Sequence, residues 1–187
     1  MKRKALLLLF AAATMMAPAG MQAQQPRKGA DRVAEIRRLY AEAKELAAGE
    51  HIEENANYKM TITSDRVIPA LGSINERLHF FFGLDDEKFA EDLSLEYHPY
   101  FITRSYQYGP RQYYEEYLFD RKTGRLVFFF RTNDTYEGDK AETRYYWGED
   151  GQKVVHQTTK GDDPASEGEA TMQANRLLQA FQLLVQN

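Results

Sequence analysis

The chain contains no cysteine. That excludes disulfides, a thiol nucleophile, and lipid attachment through a cysteine at an export cleavage site. It also lacks a basic surplus: 24 Lys and Arg stand against 28 Asp and Glu, a formal net charge of −4. A general nucleic-acid binder needs a clustered basic surface, so no nucleic-acid partner is expected. Histidine is scarce. His51, His79, His98 and His156 include no pair at metal-ligand spacing, and there is no H-E-x-x-H. His51 with Glu54 reads as an ordinary helix-end pair, and no metal site is expected. Ser64, Ser73, Ser94, Ser105 and Ser166 all lack the G-x-S-x-G elbow. Without a phosphate-binding glycine loop or a dinucleotide fingerprint, no cofactor is expected.

The one long apolar run is at the start. "MKRKALLLLFAAATMMAPAGMQAQQ" opens on Lys2, Arg3 and Lys4, runs apolar from Ala5 to Ala13, and ends among small residues. A basic end, a short apolar run and small residues are the export pattern. The run is too short for a bilayer of roughly 30 Å, which needs about 20 residues. Residues 1–23 therefore read as a signal peptide cleaved after Ala23, with Ala19 as the alternative. The leader holds three of the 24 basic side chains and none of the acidic ones, leaving 21 and 28 and a net of −7. No later segment could be a membrane helix, so the mature chain is expected to lack a transmembrane segment and to be periplasmic or secreted.

Residues 24–30, "QQPRKGA", read as a linker, and 31–187 as a single domain. Within 31–48, Val33, Ile36, Leu39, Tyr40, Ala43, Leu46 and Ala47 recur at helical steps, with Asp31 as a cap and Gly49 as a stop. A second amphipathic helix spans about 166–185, with Ala174, Leu177, Leu178 and Phe181 on its stripe. Ser166 and Glu169 form an S-x-x-E capping box ahead of it. Between the helices come short segments rich in rings and β-branched residues: 57–63, 74–82, 100–108, 112–119, 125–132, 141–147 and 153–159. "DDEKFAED", 85–92, is a loop or short helix without the pattern of a calcium loop, and "KGDDPASEGE", 160–169, is a flexible connection. Short connections imply antiparallel neighbours. The expected fold is α+β: a curled antiparallel meander of six or seven strands with a helix at each end of the chain.

One hairpin is explicit. "YYEEYLFDRKTGRLVFFF", 113–130, places aromatic arms around "DRKTG", where Gly124 supplies the positive φ of the turn. "TRYYWGEDGQKVV", 143–155, repeats the plan with Gly151 in the place of Gly124 and one loop residue fewer. These two hairpins resemble those of uncharacterised exported proteins of the Bacteroidetes type, over about residues 97–187. The resemblance implies an exported, periplasmic protein built as signal peptide, helix, meander and C-terminal helix. It carries no activity and no site residue.

Phe80–Phe81–Phe82 and Val127–Phe128–Phe129–Phe130 load both faces of their strands, because neighbours in a strand point to opposite sides. Six or seven strands at ~4.8 Å make a sheet about 30 Å wide, whereas a helix with its side chains is about 10 Å across. Two helices cannot cover both faces of that sheet. The expected answer is a curled sheet with the helices across one side and an aromatic-lined concavity.

The rings are read first as sheet formers, since cross-strand aromatic pairs stabilise by ~0.2–1 kcal/mol each. The functional reading is an exposed ligand-binding patch of Arg104, Tyr106, Tyr108, Tyr117, Arg144, Tyr146 and Trp147, with rings and guanidiniums for an envelope glycan, lipid or protein. Whether these residues share a face depends on hairpin register. Glu115 and Glu116 point to opposite faces, and twist is expected to bring both to water. An inward-facing one would need Arg104, Arg131 or Arg144 as partner. The leading expectation is an exported, non-catalytic binding or envelope-associated protein. The alternatives are a glycan-directed hydrolase with two carboxyls roughly 5–10 Å apart in the curl, and a carrier with a closed apolar pocket.

Overall fold

A computed structural model describes residues 25–49, 57–69, 72–84, 89–91, 93, 95–134, 138–158 and 164–185. The leader 1–23, His51, Glu54, Ser94, 85–88 and 160–163 lie outside the described residues. Helix α1 spans Gln25–Ala48 and is followed by strands β1 (Asn57–Ile68), β2 (Gly72–Leu84), β3 (Tyr97–Tyr108) and β4 (Arg111–Phe119). Then come β5 (Leu126–Asp134), β6 (Lys140–Trp147), β7 (Lys153–Thr158) and helix α2 (Glu167–Val185). The seven strands form one antiparallel sheet in sequence order, open at its β1 and β7 edges.

Helix α1 begins earlier than its apolar stripe suggests. Residues 25–30 are helix rather than linker, and Asp31 sits inside the helix instead of capping it. Pro26 stands in the first turn, where a missing N–H loses no bond. Gly49 does close the helix, its N–H donating to the Leu46 carbonyl at 3.3 Å. Segment 89–91, in the acidic stretch, is a helical turn. Both hairpin turns carry their glycines at positive φ, 65° at Gly124 and 77° at Gly151.

Register explains where the rings go. Met60, Phe80, Ile102, Tyr117, Phe129, Tyr145 and His156 pair in one row across all seven strands. The neighbouring row, Phe81, Phe101, Leu118, Phe128, Tyr146 and Val155, points to the other face. The first packs with Ala170, Ala174, Leu177 and Phe181 of α2. The second packs with Ile36 and Ala43 of α1. The helices therefore lie on opposite faces, not across one side as the width comparison suggested. The width comparison counted only a helix's diameter, whereas both helices run across the strands and present their length.

On one face, Gly29 meets Val154 of β7, Arg37 lies over Tyr146 of β6, and Tyr40 packs on Phe128 of β5 and Phe101 of β3. On the other, Glu167 reaches Trp147 of β6 and Phe181 packs on Phe80 and Phe82 of β2. A helix of 24 residues is about 36 Å long. Laid along a row, it reaches from Val154 of β7 to Phe101 of β3.

Three bulges widen the α1-facing row. The register shifts at Phe81/Phe82, Leu118/Phe119 and Tyr146/Trp147, leaving Tyr100, Val127 and Val154 as extra residues on β3, β5 and β7. Tyr100 and Val127 join Phe101 and Phe128 in the α1-side core. A Cβ on Gly29 would stand 3.3 Å from the Val154 side chain, so glycine permits the close approach of α1 to β7.

Phe181 is fully buried and Leu184 is exposed. Phe181→Ala is expected to lower the free energy of unfolding by about 3–5 kcal/mol, and Leu184→Ala by no more than about 0.5 kcal/mol. Urea unfolding of the two variants checks which helix face seals the sheet.

Candidate functional site

Beside the apolar rows lie rows of charge. Glu115 is 3% exposed and Glu116 is 1% exposed. The expectation that twist brings both to water is therefore corrected: strand alternation sends them to opposite faces, and each face is covered.

On the α2 face, Glu115 accepts from Arg104 at 3.1 Å, from Tyr117 at 2.7 Å and from Tyr106 at 3.1 Å. Arg104 also donates to Glu76 at 2.6 Å, and Glu76 takes a further bond from Arg66 at 3.0 Å. Burial opposes the Arg104 charge, but Glu115 and Glu76 outweigh it and push its pKa up. Tyr106 stacks on Tyr113 at 4.8 Å. Arg131 lies over the Tyr113 ring and donates to Glu169 of α2 at 2.9 Å. Half of the capping box thus forms, with Ser166 Oγ accepting the Glu169 N–H at 3.1 Å, while the Glu169 carboxylate turns to Arg131.

On the α1 face, Glu116 accepts from Lys44 at 2.7 Å, from Tyr114 at 2.7 Å and from Tyr40. The helix is thereby clasped to β4. Burial first, then Glu116, raises the pKa of Tyr40 and Tyr114, and burial with Glu115 raises those of Tyr106 and Tyr117.

The seven residues singled out in the sequence do not form one patch. Arg104, Tyr106 and Tyr117 belong to the α2-face network. Tyr117 is 0% exposed, and Tyr146 and Trp147 are buried as well. Tyr108 is exposed beside the β3–β4 turn. Arg104 aligns with Glu115, Arg131 and Thr143, whereas Arg144 aligns with Phe130 and Glu116. Arg144 and Tyr146 therefore face α1, away from Arg104 and Tyr106. There they border a pocket of about 180 Å³ with Arg37, Tyr40 and Phe130. Arg144 lies 4.8 Å over Phe130 and pairs with Glu142 at 2.7 Å.

A larger hollow lies on the other flank of α1. It is a groove of about 510 Å³, between one edge of the helix and the loops of the twin hairpins. The helix contributes Arg32, Glu35, Arg38, Leu39, Glu42 and Leu46, which recur at three- and four-residue steps along one edge. From Arg32 to Leu46 that edge is about 20 Å long. The β4–β5 loop contributes Asp120, Arg121 and Lys122, and the β6–β7 loop contributes Glu149. Asp120 Oδ1 accepts the Lys122 and Thr123 N–H groups at 3.1 and 2.9 Å, which fixes the first loop. Arg125 donates to the Glu149 carbonyl at 2.9 Å, tying the two loops together.

Tyr100, re-aimed by its bulge, lines the groove and is 3% exposed. Its hydroxyl is buried, and so is Arg32 Nε, which has no hydrogen-bond partner among the described residues. Burial pushes the Tyr100 hydroxyl pKa up, and Arg121, whose guanidinium lies 4.1 Å over the ring, pulls part of that back. Arg121 also donates to Asn57 at 3.0 Å, and Arg32 Nη1 to Glu35 at 2.8 Å. Sequence reasoning passed over Tyr100, Arg32 and Arg121. The available signal was Pro99, which cannot donate to a ladder and so marks a bulge. Among the described residues no group of three acidic or histidine side chains could hold a metal ion, and no helix is long and apolar enough to cross a membrane.

No family model matches the chain, no curated protein matches it, and no solved structure matches it.

Two outcomes follow from the buried clusters. Glu116→Ala, which strands Lys44, Tyr40 and Tyr114, is expected to cost about 3–5 kcal/mol in urea unfolding, with a Tyr40–Glu116 coupling of ~0.5–3 kcal/mol in a double-mutant cycle with Tyr40→Phe. The raised phenol pKa values also mean that the fold holds neutral tyrosines. Their contribution is intact below the ordinary phenol value of about 10 and is lost as pH rises above it. In an alkaline titration, a set of tyrosines should ionise only as the circular dichroism signal collapses; complete ionisation with the fold intact would contradict these hydrogen bonds.

Proposed function

We propose that the chain is an exported, non-catalytic binding protein that takes its ligand in the groove along α1. The observation that carries this reading is the groove itself, about 510 Å³ between a charged helix edge and the two hairpin loops, against about 180 Å³ for the pocket on the other flank of α1. The reading of export rests on the leader pattern of residues 1–23.

The buried acids support a binding role over a hydrolase. A general acid or base has to exchange its proton with a substrate. Glu76 and Glu115 are instead held on one arginine, and Glu116 takes three donors. A carrier for an apolar ligand fits less well, because arginines border both hollows. Of the aromatic and Arg residues singled out in the sequence, Arg144 and Tyr146 border the smaller pocket, and none lines the groove.

Glu42 lines the groove and is exposed, so Glu42→Trp obstructs the groove with little effect on the fold. In calorimetric screening of the leader-free chain against envelope glycans, lipids and peptides, a true ligand is expected to lose at least ~10-fold in affinity with Glu42→Trp. It should lose nothing with Tyr108→Ala at the β3–β4 turn. Binding indifferent to Glu42→Trp, or no binding from any class, would overturn the proposal.

A further inference from the structure

We infer that β1 is a dimerisation edge whose occupant is β1 of a second copy, paired antiparallel about a two-fold axis at Ile62. The sheet leaves two edges open, and they are not alike. Sheet edges are normally blunted by short strands, bulges, prolines or a covering element, because their free N–H and C=O groups otherwise recruit another strand. β7 follows that rule: it has six residues, carries the Val154 bulge, and meets the start of α1 at Gly29. β1 does not. It has 12 residues, contains no proline, and pairs with β2 at every position without a register shift. Among the described residues no strand pairs with its outer side. Its far end is the barest part. The β2–β3 pairing begins at Glu76, so Asp65–Ile68 and Gly72–Asn75 form a two-stranded ribbon with no third strand beside it among the described residues. Two strands alone are marginal in water, and a third steadies them. Val67 on this ribbon is 79% exposed.

The residues of β1 select both the partner and the register. Opposed residues must share a face, and alternate residues do, so a two-fold axis through the edge passes through a residue. The longest overlaps centre on Ile62 or Thr63. Centred on Ile62, Lys59 lies opposite Asp65 of the second copy, Arg66 opposite Tyr58, Thr61 opposite Thr63, and Ile62 opposite itself. Symmetry repeats each unlike pair. Opposite charges, paired threonines and a guanidinium beside a ring all favour cross-strand pairing, and no like charges meet. Centred on Thr63, Lys59 faces Val67 and Asp65 faces Thr61, so no ion pair forms. A lysine on an edge normally repels an incoming strand, but here Asp65 answers it. Lys59 and Asp65 are both exposed, and neither holds an ion pair among the described residues. An unrelated extended segment would have to match this pattern by chance, whereas a second copy matches it by symmetry.

The test is sedimentation equilibrium of the leader-free chain from low to high micromolar concentration, where a monomer–dimer equilibrium is expected. Asp65→Lys sets a Lys–Lys pair on each side of the axis and should weaken the dimer at least ~10-fold. Lys59→Asp should do the same. Both positions are exposed, so neither change should unfold the monomer. The double variant, Lys59→Asp with Asp65→Lys, reverses each pair and should return the dimer to within about 3-fold of the parent. Because the chain has no cysteine, a single introduced one reports the register. Ile62→Cys meets its own copy at ~4.5–5.5 Å between Cα atoms and should cross-link with a short bifunctional thiol reagent. Val67→Cys stands roughly 33 Å from its own copy and should not. A chain that stays monomeric, a dimer indifferent to Asp65→Lys, a double variant that does not recover, or the absence of cross-linking through Ile62→Cys would overturn the inference. No β1 residue lines the α1 groove, so ligand binding there stands or falls separately.

Discussion

The fold depends on two apolar rows that sit one residue apart on opposite faces of the sheet. Phe80 and Phe81, Ile102 and Phe101, Tyr117 and Leu118, Phe129 and Phe128, and Tyr145 and Tyr146 are neighbours in sequence and are divided between the two sides. Strand alternation makes that division unavoidable once the register is set. Each row is a narrow stripe perpendicular to the strands, and a helix is a narrow cylinder. Laying α1 along one stripe and α2 along the other matches lid to load. Burial of this kind stabilises by roughly 25 cal/mol per Å² of apolar surface removed from water, which makes the two stripes the main favourable term.

The same alternation places charge in the interior. The residues just beyond the apolar pair on β4 are Glu116 on the α1 side and Glu115 on the α2 side. Each is satisfied by tyrosine hydroxyls and a cation, and a buried charge is tolerated only under such conditions. The two acids are not equivalent. Glu115 stays largely within the sheet, held by Arg104 and two tyrosines from strands β3 and β4. Glu116 joins the sheet to a helix through Tyr40 and Lys44, so it bears on how firmly α1, one wall of the groove, is seated.

The strands and their order were legible from residue pattern. Ring-rich segments, glycine turns and short connections pointed to six or seven antiparallel strands, of which there are seven, because those signals are local and each is read within one hairpin. The face taken by each helix was not legible, since an apolar stripe does not say which side of a sheet it meets. The patch of Arg104 through Trp147 failed for a related reason: one residue of register decides whether Arg144 joins Arg104 or opposes it, and no local residue encodes that choice. The groove was hidden more deeply. It needs Arg32 from the helix, Tyr100 from a bulge and Arg121 from a turn, three positions whose proximity exists only after the sheet is covered. Only Pro99 beside Tyr100 and the twin glycine turns hinted at it.

Laying both helices across the strands has a consequence for the order of assembly. Every strand pair is between sequence neighbours, so the sheet can zip together one hairpin at a time as the polypeptide emerges. The helices cannot join so early. The first needs Val154 of β7 beneath Gly29, and the second follows β7 in the chain. Until β7 and α2 have been made, both ring-bearing stripes stand open to water, and a nascent form of this protein is a sticky, unlidded ribbon. A chain of this design gains from being kept unfolded until its second helix has arrived.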